Sequence, residues 1–209
     1  MNPDTWLSWY WGKEDTVEED IPKLATFLKD SGASTVLDLG CGTGRHSIFL
    51  AKNGFKISAF DQSESAIGRA RELLSAENLS AELKVWNMTV FPYPYKDSLF
   101  DAVLAVKVIH HTKLDTVRRI ICEIARITKV GGYVYVQVPT EEKGKRLTVE
   151  ENLKSEEIEP GTFLFLEGDE AGVIHHYFSK EELVSLFGGF DVKDLHVLNE
   201  HFCLTGKKR

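Results

Sequence analysis

The stretch VLDLGCGTGRH, residues 36–46, places glycines at alternate positions, Gly40, Gly42 and Gly44, directly after an apolar run. Such a run is typical of a strand that is buried on both faces of a parallel sheet. Glycines at the end of a strand let the backbone take positive φ and approach a ligand closely. The stretch therefore predicts a nucleotide-binding loop, and the question is which nucleotide it holds.

Helical and strand patterns alternate along the chain on both sides of this loop. Strands are expected in STVLDLG, FKISAFD, AELKVWN, LFDAVLAV and GGYVYVQVP, and amphipathic helices over 21–30, 44–52, 115–128 and 179–188 and after the cap residue Ser63. The late segments FDVKDLHVL and HFCLTGK most simply pair with each other at the sheet edge. The pattern predicts an α/β fold with a doubly wound seven-stranded sheet, mostly parallel with an antiparallel C-terminal edge strand, and helices on both faces.

We expect a single domain over residues 1–209, because 209 residues that are 43% hydrophobic can build one sizeable core. Its expected parts are an aromatic N-terminal segment with a helix (1–33), a ligand-binding core (34–139), an excursion (140–178), and a last helix with the C-terminal strands (179–209). The excursion is polar, acidic and weakly periodic, and it is too long for an ordinary connection. It is either a lid over the site or a partly disordered loop.

The charge of the chain argues against nucleic acid as a partner. The formal net charge is −7, the basic residues are scattered, and the one tight basic run is the terminal KKR. Phosphate-binding surfaces need clustered Lys and Arg, because counterion release supplies much of their affinity. We expect no nucleic acid partner, no membrane partner, and a monomer or homodimer.

The cysteines indicate a reducing compartment. Cys41, Cys122 and Cys203 lie far apart with no CxxC spacing, which argues against a disulfide framework and a zinc knuckle. The N-terminus lacks the basic start and apolar core of a signal peptide, and no apolar run approaches the length of a membrane span. We expect a cytoplasmic protein.

The glycine loop does not fit a phosphate ligand. The dinucleotide fingerprint needs a small third residue where this chain has Arg45, and the P-loop ending G-K-[ST] is absent. Asp38, at the strand end, would repel a pyrophosphate. A carboxylate there suits a ligand that carries an ammonium and a sulfonium group.

LDLGCGTG resembles the first motif of class I S-adenosylmethionine-dependent methyltransferases, which have a Rossmann-like fold. FDQS, WNMTVFPYP, LFDAVLAVKVIHHT and ICEIARITKVGGYVYV fall where this family has its later motifs, so the resemblance covers residues 35–139. It implies S-adenosyl-L-methionine as the cofactor and methyl transfer as the activity. The cofactor-binding residues that it implies are Asp38, Gly40, Cys41, Gly42, Gly44, Asp61, Gln62, Asn87, Met88 and Val106.

Four of these residues have specific expected roles. Asp38 would help to place the cofactor's ammonium group, and Asp61 can accept both ribose hydroxyls. Asn87 departs from the family pattern, which has an acid there, but it can accept a bond from the adenine amino group and could also donate one. Cys41 is expected to be a small residue in a tight turn rather than a nucleophile.

The acceptor site is less constrained, because in-line methyl transfer needs alignment and a dry pocket more than a catalytic group. The catalytic candidates are His111, after the fourth strand, and His176, in GVIHHYFS, a stretch that resembles small-molecule methyltransferases of the tellurite-resistance type. In an extended segment His175 and His176 point to opposite sides, so at most one faces the pocket. Lys107 either points to solvent or binds an anionic acceptor. The candidate substrate-pocket residues are Tyr10, Trp11, Lys107, His110, His175 and Tyr177.

No metal is expected, since adjacent histidines on a strand cannot readily chelate one ion and no metal-ligand spacing is present; an assembly of His111, His176 and Asp115 remains the spatial alternative. The leading hypothesis is a methyltransferase with a small-molecule acceptor. The alternatives are a protein or tRNA acceptor, a non-catalytic module that binds S-adenosylmethionine, and a dehydrogenase.

Overall fold

A seven-stranded sheet forms the centre of the computed structural model, which describes residues 16–151, 153–168 and 170–209, without the side chains of 149 and 150. The strands are β1 (Thr35–Leu39), β2 (Lys56–Asp61), β3 (Ala81–Val85), β4 (Phe100–Val106), β5 (Thr128–Pro139), β9 (Phe190–Leu198) and β10 (His201–Lys208). Their order across the sheet is β3-β2-β1-β4-β5-β10-β9. The strand order reverses between β1 and β4, which is where open α/β sheets bind their ligands.

Helices cover both faces of this sheet. The helices are α1 (Ile21–Asp30), α2 (Arg45–Lys52), α3 (Glu64–Ala76), α4 (Leu114–Ile127), α5 (Glu141–Lys145) and α6 (Lys180–Leu186). One apolar cluster joins the sheet to α1, α2 and α3 through Ile21, Leu50 and Ile67. A second cluster, on the other face, includes Ile120 of α4 and Leu183 of α6. The predicted fold class is confirmed.

The C-terminal hairpin completes the sheet with one detail that the sequence did not indicate. β10 runs antiparallel to β5 and to β9. The antiparallel C-terminal strand therefore lies one place inside the sheet, and β9 forms the edge. Asn199 and Glu200, between the two strands, both have positive φ, at 48° and 59°. Such a turn matches the twist of a tight hairpin, which returns the chain to the inner position.

The excursion folds into a small sheet of its own. After α5 and a π-helical turn (Arg146–Glu150), strands β6 (Ser155–Glu159), β7 (Thr162–Phe165) and β8 (Ile174–His176) pair antiparallel in the order β6-β7-β8. The backbone N–H of His176 donates to the carbonyl of His110 at 2.8 Å, which ties this sheet to the loop after β4. The short, charged β6 explains the weak periodicity of the sequence here.

Two predicted substrate-pocket residues, Tyr10 and Trp11, lie outside the described residues. Within the described part of the chain, no helix has both the length and the apolar character needed to cross a bilayer.

Candidate active site

A cavity of about 450 Å³ opens at the carboxyl ends of β1, β2 and β4. Four segments of the central sheet, after β1, β2, β3 and β4, and one segment of the excursion form its walls. The predicted cofactor residues that line it are Gly40, Cys41, Gly42, Asp61, Gln62, Asn87, Met88 and Val106. Asp38 and Gly44 lie behind this wall, and among the predicted acceptor residues Lys107 and His111 line the cavity.

Each of the three glycines in the loop has its own structural role. A Cβ at Gly40 would collide with the side chain of Val108. A Cβ at Gly44 would lie 2.9 Å from Cβ of Ala70, so Gly44 permits α2 to pack on α3. Gly42 has a φ of +54°, and a Cβ there would meet nothing within 4 Å. Gly42 also lines the cavity, so the absence of a side chain at this position leaves space for a ligand to approach the protein backbone.

Asp61, at the end of β2, is oriented by the backbone. Its Oδ2 accepts a hydrogen bond from the N–H of Gly42 at 3.0 Å, and its Oδ1 accepts from the N–H of Ser63 at 2.9 Å. Burial raises the pKa of this carboxyl above its usual range, although the N–H donors act in the opposite direction. Each oxygen keeps a lone pair, so the carboxylate can still accept two ligand hydroxyls.

Asp38 is buried in β1, and its Oδ2 accepts a hydrogen bond from Oγ of Ser47 at 2.7 Å. Burial raises the pKa of Asp38 to about 6. It does not reach the cavity wall, so its direct contact with an ammonium group stays a prediction. Its observed contact joins β1 to α2 beneath the glycine loop.

The segment after β3 forms a polar and aromatic wall. Oδ1 of Asn87 accepts from both the backbone N–H and the hydroxyl of Thr89, each at 2.8 Å. These two donors occupy the lone pairs that were expected to accept from adenine, which leaves the amide NH₂ of Asn87 as the group that can bind the base. Trp86 also lines the cavity, and its Nε1 donates to the carbonyl of Val90 at 3.1 Å. Adjacency to Asn87 was the sequence signal that could have identified Trp86.

Lys107 pairs with an acidic side chain instead of pointing freely into solvent, and its role towards an anionic acceptor stays a prediction. Its Nζ lies 2.9 Å from Oε1 of Glu18, and Nη2 of Arg45 lies 2.9 Å from the same oxygen. Burial alone would raise the pKa of Glu18, but the hydrogen bond and charge of Lys107, with the charge of Arg45, hold it below its usual range. The correction follows from the acid-rich segment before α1, which supplies the partner for both cations.

Three histidines meet at the edge of the cavity. His110 and His111 follow β4 in a turn, so their rings do not alternate as on a strand, and the ring centroids are 3.9 Å apart. The ring of His175 lies 5.5 Å from that of His110 and 4.7 Å from that of His111. Tyr177 extends the cluster, with its ring stacked on His175 at 6.0 Å. Burial lowers the pKa of His111 to about 3 and that of His175 to about 2, so both imidazoles are neutral.

His176 points the other way, as strand alternation predicts. Its Nδ1 lies 2.7 Å from Oγ1 of Thr162, and its Nε2 lies 2.9 Å from Oε2 of Glu182. Both ring nitrogens are therefore engaged in a structural link between β7, β8 and α6. His176 does not line the cavity, and His111, His176 and Asp115 are not among the described groups of converging metal-ligand atoms, so neither a catalytic His176 nor their assembly is proposed.

Gly172, Val173 and Ile174 of the excursion line the cavity opposite the glycine loop. These residues carry no chemical signal in the sequence, and Val173 and Ile174 look like ordinary strand residues. Their position follows from the way β8 is attached to the loop after β4. The excursion thus covers part of the site.

Comparison with known proteins agrees with this geometry. A family profile described as a methyltransferase domain matches residues 36–132. The probable S-adenosyl-L-methionine-dependent methyltransferase TehB of Haemophilus influenzae is 30% identical over 98 residues, which cover 47% of this chain and 33% of TehB. The tRNA (carboxymethyluridine(34)-5-O)-methyltransferase of Arabidopsis thaliana is 30% identical over 123 residues, which cover 56% of this chain and 27% of the relative. The chain therefore matches only a third or less of the length of these two relatives.

Two solved structures extend the comparison over nearly the whole chain. An S-adenosylmethionine-dependent methyltransferase from Methanosarcina mazei is 27% identical, with a TM-score of 0.76 over 90% of this chain and 97% of the other. The 1,6-didemethyltoxoflavin N1-methyltransferase of Burkholderia thailandensis, solved with S-adenosylhomocysteine, has a TM-score of 0.72 over 99% of this chain and 86% of the other. At 16% identity this second likeness shows the fold alone.

The glycine loop, the Asp61 carboxylate and the sheet order are those of a nucleoside-binding Rossmann-like protein. Residues 36–132 match a methyltransferase domain, and the chain is similar in sequence and fold to S-adenosylmethionine-dependent methyltransferases, whose cofactor is S-adenosylmethionine. The resemblance stated from the sequence is confirmed.

Proposed function

We propose that the protein transfers a methyl group from S-adenosylmethionine to a small-molecule acceptor. The observation that carries this proposal is that Gly172, Val173 and Ile174 of the excursion line the cavity together with the loops of the central sheet. The cavity, with a volume of about 450 Å³, is in the size range of small-molecule sites. We also propose that residues 1–209 form one domain in which 140–178 is the substrate lid.

The residues of the cavity suit the cofactor. Gly42 leaves space at the loop, Asp61 offers two oriented acceptors to the ribose hydroxyls, and the amide of Asn87 can donate to the adenine ring. The face of Trp86 adds apolar area on the same wall. When bound, S-adenosylmethionine supplies a methyl group that its sulfonium has already activated.

The chain's own part in the reaction is to bind, align and exclude water. Positive charge disperses in the transition state of methyl transfer, so a dry cavity with fixed geometry lowers the barrier. His111 lines the cavity as a neutral imidazole, and a group with a pKa of about 3 removes few protons at neutral pH. We therefore assign His111 a positioning role rather than that of a general base, and His110, His175 and Tyr177 support it from behind.

A tRNA acceptor is the second candidate, since one relative of comparable identity is named as a tRNA methyltransferase. The net charge of −7 speaks against it, because tRNA binding requires clustered basic residues. A non-catalytic module that binds S-adenosylmethionine is the remaining alternative. The cover over the cavity favours an enzyme, because a cofactor sensor does not need an acceptor site.

The test uses S-adenosylmethionine with a labelled methyl group and three separate acceptor pools: metabolites, total tRNA and protein. Label in the metabolite pool, lost in the Asp61→Ala variant, supports the proposal. Label in tRNA or protein assigns the acceptor to that pool instead. Binding of the cofactor with no label in any pool would support the non-catalytic module.

Two further expectations remain proposals. We propose a cytoplasmic location, which agrees with the three free cysteines Cys41, Cys122 and Cys203. We also propose that the protein works as a monomer or homodimer, which light scattering coupled to size-exclusion chromatography would decide.

A further inference from the structure

The three-histidine cluster beside the cavity has a geometry that the cofactor does not require. His110, His111 and His175 each offer a ring nitrogen, and these three atoms all lie within 4.8 Å of one another. The turn after β4 brings the first two rings together, and β8 supplies the third. Three imidazole nitrogens that converge from two separate segments form the ligand set of many zinc and first-row transition-metal sites.

Buried polar atoms in this cluster lack the partners that a protein interior normally provides. Nδ1 of His110 and Oη of Tyr177 are buried without a hydrogen-bond partner among the described residues. Leaving such groups unpaired costs free energy, so each calls for a bound group that completes it. His110 and His175 are both at least nine-tenths buried, so bulk water does not reach them freely.

A carboxylate stands next to the third ring. Oε2 of Glu170 lies 3.2 Å from Nε2 of His175, but the two atoms lack the geometry of a hydrogen bond. A carboxylate this close to an imidazole favours a cation at the cluster. Glu170 thus supplies the negative charge that three neutral imidazoles lack.

We propose that His110, His111 and His175 bind one divalent transition-metal ion such as Zn²⁺, with the carboxylate of Glu170 beside the third of these ligands. Metal–nitrogen bonds of about 2.0–2.1 Å require the ring nitrogens to lie roughly 3.3 Å apart, so binding draws the rings together by about an ångström. Rotation of the imidazoles can supply this movement. The proposal concerns metal binding alone and does not depend on the proposed methyl transfer.

The proposal departs from the sequence-based expectation that no metal binds. That expectation assumed that His110 and His111 alternate along a strand, whereas they lie in a turn. Because His111 lines the cofactor cavity, the ion would lie at the cavity wall. If the proposed function holds, it could there bind an acceptor hydroxyl or thiol and lower its pKa.

Lys143 is the group that opposes this site. Its Nζ lies 3.2 Å from Nε2 of His201, and its positive charge contributes to the lowered pKa values of His110, His111 and His175. That field keeps the imidazoles in their ligating form, but it also repels a metal cation. Lys143 therefore distinguishes a metal site from an anion site, because its positive charge would repel a metal ion but would be needed to bind an anion.

The experiment titrates the metal-free protein with Co²⁺, whose visible absorption reports nitrogen coordination, and with Zn²⁺ in a calorimeter. We expect one ion per chain. His110→Asn and His175→Asn should each weaken binding at least about tenfold, and Glu170→Gln by about tenfold. Lys143→Met should tighten it. Absence of cobalt absorption at millimolar Co²⁺ would overturn the proposal.

A matched control addresses the other place where ligand atoms converge. Asp20, His196 and Cys203 also lie within metal-binding distance of one another, but His196 already pairs with Asp20 and Asp194. His196→Asn should leave metal binding unchanged. Metal binding that is lost in His196→Asn and retained in His175→Asn would place the ion there and refute the proposal.

Two further measurements address variants that do not fold and the binding of an anion in place of a metal ion. If the histidine variants fail to fold, nitrogen NMR of the imidazoles in the unmodified protein decides, because Zn²⁺ should shift the ring signals of His110, His111 and His175 but not those of His196. If phosphate binds instead of metal, and Lys143→Met abolishes that binding, the cluster is an anion site and the metal proposal is wrong.

Discussion

The carboxylate of Asp61, at the end of β2, accepts a 3.0 Å hydrogen bond from the backbone N–H of Gly42, which lies in the turn between β1 and α2. This bond joins the glycine loop to the end of the neighbouring strand. It fixes one oxygen of Asp61 beside the residue that leaves space for the ligand. The loop and Asp61 therefore form one preorganised unit.

The Asp61→Ala variant should bind S-adenosylhomocysteine more weakly by about 1–3 kcal/mol, because charge-assisted hydrogen bonds to the ribose are lost. Calorimetry measures this directly. The matched control is Asp97→Ala, which removes an exposed acid that pairs with Arg126 far from the cavity. An equal loss of affinity in both variants, or no loss in either, would contradict the role of Asp61.

Gly42 and Gly44 should respond differently to substitution although both have positive φ. Gly42→Val should remove S-adenosylhomocysteine binding, since the added side chain projects into the open cavity, and its only cost to stability should be backbone strain at positive φ. Gly44→Ala should lower the free energy of unfolding by about 1–3 kcal/mol, from backbone strain and the contact with Ala70. Denaturant unfolding and calorimetry on each variant separate the two effects.

A double-mutant cycle tests the packing reason for Gly44. Ala70→Gly removes the atom that a Cβ at Gly44 would meet, so it should restore part of the stability that Gly44→Ala loses. Purely additive effects of the two substitutions would show that backbone strain alone explains the loss.

The sequence was sufficient for the central sheet and for most of the residues that line the cavity at its strand ends. Buried strands such as STVLDLG have a clear apolar pattern, and Gly42 and Asp61 belong to short motifs at the strand ends. The inner position of β10 was not predictable, because hairpin pairing alone does not say which strand meets β5. Lateral strand order is decided by packing across the whole sheet.

The acceptor end was predicted less well, and the histidines show why. Periodicity correctly separates His175 from His176, but it does not say which of them meets the loop after β4. The backbone bond from His176 to His110 decides that, and it joins segments 66 residues apart in sequence (176 − 110 = 66). Lys107 likewise depends on Glu18, a partner that sequence spacing could not identify.

Asp38 should make stability depend on pH in an unusual direction. Burial raises its pKa from 3.8 to about 6, so the folded state holds the proton more tightly than the unfolded chain does. The contribution of Asp38 to stability is therefore present below pH 4 and is lost as the pH rises to 6. A shift of two units corresponds to about 3 kcal/mol. Asp38→Asn should exceed the unmodified protein in stability at pH 7 but not at pH 4.

Asp101 provides a control in which the pKa is shifted in the opposite direction. Its pKa is lowered, because hydrogen bonds from Lys129 and from Thr35 and Ser34 outweigh the effect of burial. Its contribution to stability is present above its unfolded pKa and is lost as the pH falls through the folded value, so Asp101→Asn should destabilise the protein at pH 7. Urea unfolding from pH 4 to 7 measures both variants. A stability difference for Asp38→Asn that does not change over this range would refute the prediction.

Gly144→Ala should loosen the excursion without disturbing the central sheet. A Cβ at Gly144 would lie 2.7 Å from Cγ of Tyr177, so α5 would have to move away from the residue that follows β8. We expect faster hydrogen exchange in 162–177 and unchanged exchange in 35–61, because the two regions open separately. Gly68→Ala is the matched control, since Gly68 lies in α3 with nothing within 4 Å of its added Cβ, and that variant should be as stable as the unmodified protein or more so. Faster exchange of β1 and β2 in Gly144→Ala would show that the excursion is part of the core and not a separate cover over the cavity.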